Sequence, residues 1–183
     1  LFYSRRIGRK LPDGSEVPLL LGTKAFGRVN NWEYGGFLAV TGEKEYESDG
    51  EKNIEDRALF SSVRIRKQIL ENSQIGMLYV GKNTKHEKSG VIDIDGAFRS
   101  SDWQLCYQFA RSYKSSQGDY AGSIGFLMPK EKWIVGLRSR YIGENFDINE
   151  VGFVPWTGTG EFTLFNGPRW YLSLIHISEP TRP

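Results

Sequence analysis

The sequence predicts an all-β fold: an antiparallel up-and-down meander forming an incomplete outer-membrane-type β-barrel of about eight or nine strands. Three observations predict it. Apolar and polar residues alternate with a period of two through most of the chain, which gives each strand two unlike faces. The composition, 14% aromatic with 21 glycines and 7 prolines, favours strands and tight turns over helices. The links between strands alternate between short and long, the asymmetry of barrels that carry tight turns at one rim and large loops at the other.

The alternation places strands at residues 18–29, 32–41, 57–70, 74–81, 91–99, 102–111, 119–128 and 132–141, with a ninth at 160–171. It is cleanest after Asp102, where Trp103, Leu105, Tyr107 and Phe109 share one face and Gln104, Cys106, Gln108 and Ala110 the other. Ile92, Ile94 and Phe98 likewise oppose Asp93, Asp95 and Arg99. Val63 and Ile65 oppose Arg64 and Arg66. Trp133, Val135, Leu137 and Tyr141 oppose Gly136, Arg138 and Arg140, with Ile134 interrupting the polar set. Asn30-Asn31, 71–73, Ser100-Ser101 and 129–131 read as short turns. Residues 42–56, 82–90, 112–118 and 142–158 read as longer loops, the first of them polar and acidic. On this reading the apolar sets meet lipid and the charged sets line a lumen. Trp32, Trp103, Tyr120, Trp133 and Tyr141 fall near strand ends, where interfacial aromatic girdles sit.

Three segments divide the chain: an entry segment at 1–17, the partial barrel at 18–171, and residues 172–183. The last segment, Leu172-Ser173-Leu174-Ile175-His176-Ile177-Ser178-Glu179-Pro180-Thr181-Arg182-Pro183, reads as translated sequencing adapter and is set aside. With Leu1 in place of a starting Met, the expectation is a chain cut at both ends. A net charge of +2 gives no basis for a nucleic-acid partner. The single cysteine, Cys106, excludes an internal disulfide. No run approaches the ~18 apolar residues of a membrane helix, a test that barrel strands escape.

The candidate site residues are basic. Arg5, Arg6, Arg9 and Lys10 form the strongest charge run, a candidate phosphate-binding patch for lipopolysaccharide or an anionic solute, and Arg64, Arg66, Arg138 and Arg140, with Lys24 and Arg28, project from three strands onto the predicted lumenal face. A basic wall of this kind concentrates anionic solutes. The alternative is a salt-bridged interior in which each arginine pairs with an acid. No catalytic constellation is readable. Asp93 and Asp95 sit at i and i+2 on one face with nothing else that suggests a glycosidase, and salt bridging to Arg99 or to a neighbouring strand is the simpler role. Asp93-Ile94-Asp95-Gly96 is not a calcium loop, because Ala97 stands at the next ligand position. His86 has no second ligand near it and Cys106 no base, and there is neither a phosphate-binding glycine loop nor a serine elbow. No cofactor is implied.

Leu1-Phe2-Tyr3-Ser4-Arg5-Arg6-Ile7-Gly8-Arg9 resembles a signature of the family called domain of unknown function 5916. Leu19-Leu20-Leu21-Gly22-Thr23-Lys24-Ala25-Phe26-Gly27-Arg28 resembles the strand that follows it there, and residues 90–99 and 150–154 fit later elements. The resemblance covers most of residues 1–154. It implies the C-terminal barrel-like region of a Gram-negative outer-membrane protein whose full-length members carry an N-terminal domain similar to carbohydrate-binding family 9. The family's activity is not established, so what it implies is a location, the outer membrane, with lipid as the partner. An anchor or passage for carbohydrate or anionic solutes is the functional expectation. The alternative is a soluble all-β domain that binds glycans through Trp and Tyr, which requires the apolar faces to pack into a dry core.

Overall fold

The computed structural model describes residues 7–48, 50–115 and 117–170. Eleven strands follow in order: β1 (Leu19–Val29), β2 (Trp32–Thr41), β3 (Lys44–Ser48), β4 (Glu51–Glu55), β5 (Ala58–Ile69), β6 (Ser73–Asn83), β7 (Lys88–Arg99), β8 (Gln104–Lys114), β9 (Tyr120–Pro129), β10 (Trp133–Ile142) and β11 (Thr159–Pro168). Nine of them form one antiparallel sheet in the order β1-β2-β5-β6-β7-β8-β9-β10-β11, while β3 and β4 pair as a separate hairpin. Sheet neighbours are neighbours in sequence, apart from the excursion of that hairpin, so the sheet is an up-and-down meander. Among the described residues it does not close: β1 and β11 each have a single partner.

The nine long strands are those the alternation predicts, with three differences. The polar loop at 42–56 contains the β3–β4 hairpin, whose only large apolar side chains, Tyr46 and Ile54, give it no apolar face to reveal it. The Asp49-Gly50 dipeptide is the hairpin signal that does survive in the sequence, and Gly50 adopts φ +79°. β6 and β7 run on through Lys82 and Ser89, and β8 through Lys114, because cross-strand hydrogen bonds continue where the apolar pattern stops. The β6–β7 and β8–β9 links therefore shrink to 84–87 and 115–119. The loop asymmetry survives, carried mainly by residues 42–57 and 143–158 at one rim against 30–31, 70–72, 100–103 and 130–132 at the other.

Register fixes the two faces. On the apolar face, Val63 lies opposite Tyr79, which lies opposite Ile92. Tyr107 lies opposite Ile124. Leu38, Val63, Met77, Ile92, Ile94, Phe109 and Ile124 on this face are all exposed, Ile94 by 50% and Phe109 by 53%. No second layer covers them among the described residues. Aromatic side chains crowd the strand ends: Phe109 stacks on Tyr120 at 5.6 Å, Trp103 on Phe126 at 6.3 Å, and Lys67 lies over the Trp32 ring. Close packing of aromatic rings over glycine recurs. Gly96 lies opposite Tyr107, and a Cβ there would come within 2.6 Å of the phenol oxygen and 2.8 Å of the Gln74 carbonyl.

The clusters of buried hydrophobics gather on the other face, toward the long-loop rim. Val80, Val91 and Ala110 pack under Phe146, Ile148 and Val151 of the 143–158 loop. Ala39, Ala58 and Phe60 form a second cluster beneath Ile7 of the entry segment. Loops thus cap one end of the polar face, and the charged and amide side chains lie on the remainder, with Phe26, Ala97, Leu127 and Phe165 among them.

Candidate binding face and its loop cap

On the polar face the strands deliver their side chains in rows two residues apart. Arg64 on β5 reaches across β6 to Asp95 on β7, with its Nη2 donating to Asp95 Oδ1 at 2.8 Å and Nη1 to Oδ2. Gly76 on β6 makes that reach available: a Cβ there would come within 2.8 Å of the Arg64 guanidinium. Arg66 binds Glu33 through Nε at 2.9 Å and through Nη2, and Arg28 stands 3.8 Å from the same carboxylate. Arg140 donates to Glu161 at 2.6 Å. Gln108 donates to Asp93 Oδ2 at 2.9 Å, while Asp93 Oδ1 is buried without a hydrogen-bond partner.

These contacts sort the candidate residues. Arg9, Arg64, Arg66 and Arg140 are ion-paired, so for them the salt-bridged alternative holds and the basic wall is largely neutralised. Arg138 and Lys24 have no carboxylate partner among the described residues. Arg5 and Arg6 lie outside the described residues. Asp95 pairs with Arg64 two strands away. Arg99 instead contacts Gln104 and the Asn72 carbonyl, so of the two expected sources of a partner, Arg99 or another strand, it is another strand that supplies the Asp95 ion pair. His86 is exposed and stands 3.9 Å from Asp56. Cys106 lies on the polar face and accepts a contact from Gln104 Nε2.

The cap has its own charge centre. Lys82, 8% exposed, donates to Glu55 of β4 at 3.1 Å and to Glu150 of the 143–158 loop at 2.7 Å. Arg9 of the entry segment binds the same Glu55 at 2.7 Å. One buried ammonium therefore joins three segments far apart in sequence. Burial alone would push the Glu150 carboxyl up, but the bond from Lys82 and the charges of Lys82, Arg9 and Lys114 hold it below the usual carboxylate value. The loop is anchored again where Ser112 Oγ accepts from the Asp147 amide at 3.2 Å and where Asp119 Oδ2 accepts from the Asn145 amide at 3.1 Å.

Two adjacent cavities lie on the polar face between β8 and β10. The upper one, about 240 Å³, is roofed by Phe146, Phe153, Val154 and Pro155 and floored by Ala110, Ala121 and Ile142. The lower, about 550 Å³ and more open, is lined by Gln104, Cys106, Gly125, Leu127, Arg138 and Phe165. Gln108, Ser123 and Arg140 border both. Sequence reasoning named the two arginines but missed the cavities, because residues 142–158 carry no period that reveals a roof. Among the described residues no group of three or more His, Cys, Asp or Glu could hold a metal ion. Comparisons with family models, with curated proteins and with solved structures found no match for this chain.

Proposed function

We propose that this chain is the membrane-embedded sheet of an outer-membrane β-barrel protein, acting as an anchor or a solute passage. The carrying observation is the inverted polarity of the sheet. The face left open to the surroundings is apolar along the middle of the strands, and the opposite face holds the ion pairs, the amides and the loop cap. A sheet in water buries its apolar face and wets its polar one. A barrel wall in a bilayer does the reverse, with aromatic girdles at both interfaces. Trp32, Trp103 and Trp133 near the tight-turn rim and Tyr120 and Tyr141 near the long-loop rim match that arrangement. The absence of a covering layer over Leu38, Val63, Ile92, Ile94 and Phe109 weighs against the soluble glycan-binding reading, which needs those side chains in a dry core.

Reconstitution tests the proposal. The chain is expected to float with liposomes in a density gradient, to stay with them through alkaline carbonate washing, and to show tryptophan emission quenched by lipids brominated along their acyl chains. A chain that stays at the bottom of the gradient, with emission indifferent to bromine, overturns it.

A further inference from the structure

We infer that the paired cavities between β8 and β10 form a binding site for a small amphiphilic anion, a linear alkyl carboxylate of medium chain length. The inference rests on the membrane reading, because a lipid-covered apolar face leaves the polar face free to receive a solute. Three observations carry it. The upper chamber is apolar on floor and roof, with Ala110, Ala121, Ile142, Phe146, Phe153 and Val154 around it. It shares Gln108, Ser123 and Arg140 with a neighbouring groove that also holds Arg138 and is lined by no Asp or Glu.

The guanidinium groups are not both spent. Arg138 makes no ion pair or side-chain hydrogen bond among the described residues. Arg140 gives one nitrogen to Glu161, but its Nε is buried without a partner. A buried donor without an acceptor costs free energy until something accepts from it, and an anion is the acceptor that two adjacent guanidinium groups favour. The other arginine-lined hollow, between β1 and β5, differs on this point: Arg28 and Arg66 there share Glu33, and Arg64 is held by Asp95. Glycine shapes the groove too. Gly125 lies opposite Arg138, and a Cβ at Gly125 would meet nothing within 4 Å, so the floor beside the free guanidinium is open. A carboxylate at the arginines with its alkyl chain in the upper chamber satisfies both halves; a bare anion uses one and an alcohol the other.

The experiment measures equilibrium binding of radiolabelled octanoate to the full chain in liposomes, corrected for uptake by empty liposomes. Saturable binding near one per chain is expected, displaced by unlabelled octanoate and at least tenfold less well by acetate or octanol. Arg138→Gln is expected to weaken binding about tenfold, since a lost charge-assisted hydrogen bond is worth that much or more. It breaks no existing ion pair. Ala121→Leu, which fills the chamber, is expected to weaken octanoate binding by a similar factor, with the far-ultraviolet circular dichroism of both variants matching the parent. Failure of the parent to float with liposomes overturns the membrane reading itself. In a floated parent, absence of saturable binding, equal displacement by acetate, or indifference to both substitutions overturns the site.

Discussion

Asp93 is the side chain whose surroundings suit it least. It is 1% exposed, it receives one hydrogen bond from Gln108, and its second oxygen has no partner. The Arg64 guanidinium beside it is committed to Asp95. A buried carboxylate oxygen without a donor costs on the order of 1–3 kcal/mol. Asparagine at this position keeps an oxygen to accept from Gln108 and removes the charge. Asp93→Asn is therefore expected to raise stability at neutral pH by about 1 kcal/mol, read as a higher denaturant midpoint at unchanged slope. Equal or lower stability would mean that the charge of Asp93 is needed by Arg64 after all. The alternation of Ile92, Asp93, Ile94 and Asp95 made the face of these residues legible in the sequence. Their partners were not legible, because Arg64 meets Asp95 only once two strand registers are fixed and Gly76 clears the path.

Among elements, the 143–158 loop depends on a contact that no local pattern announces. Its apolar side, Phe146, Ile148 and Val151, rests on the sheet, and Lys82 fixes its middle through Glu150 while holding the β3–β4 hairpin through Glu55. Removing one member of a buried ion pair strands the others, typically at a cost of about 3 kcal/mol. Lys82→Met is expected to loosen the cap, speeding hydrogen exchange at the Val151 and Gly152 amides, which bond to the Ile148 carbonyl, while leaving exchange in β9 and β10 unchanged. The pH dependence has a definite sign. The folded state holds the Glu150 carboxyl below its ordinary value, so its stabilisation is present above that value and is lost as pH falls through the lowered one. The difference between parent and Lys82→Met is accordingly expected to narrow below about pH 4.5. A difference that stays constant across that range would assign the contact no electrostatic role. The nine sheet strands were readable because each alternates an apolar set against a polar one. The β3–β4 hairpin was not, since it has no apolar face, and neither was the roof of the cavities, whose place is fixed by long-range pairing of Lys82 with Glu55 and Glu150 and of Arg9 with Glu55.

At the scale of the whole molecule, register and edges decide how the sheet behaves. Followed straight across the hydrogen bonds, Val29 at the tight-turn end of β1 leads through each strand to Phe162 on β11, six residues short of that strand's end at Pro168. A stagger of six residues over eight steps, at ~3.3 Å per residue and ~4.8 Å per step, tilts the strands by roughly 27°. A ten-residue strand at that tilt rises about 29 Å, enough for the ~25 Å apolar band of a barrel wall. The same sheet has two unpaired edges, β1 and β11, beside an apolar face exposed on every strand. Open edges template pairing with other chains, and a continuous apolar face drives association in water. Without lipid or detergent the chain is expected to form polydisperse assemblies by light scattering. Detergent covers the face but leaves the edges bare, so oligomers are expected to persist in micelles and to shift toward monomer in Leu164→Lys, where an edge-strand lysine opposes strand addition. A monodisperse monomer in plain buffer would show that the apolar face is satisfied by the protein itself, and the membrane reading would fall with it.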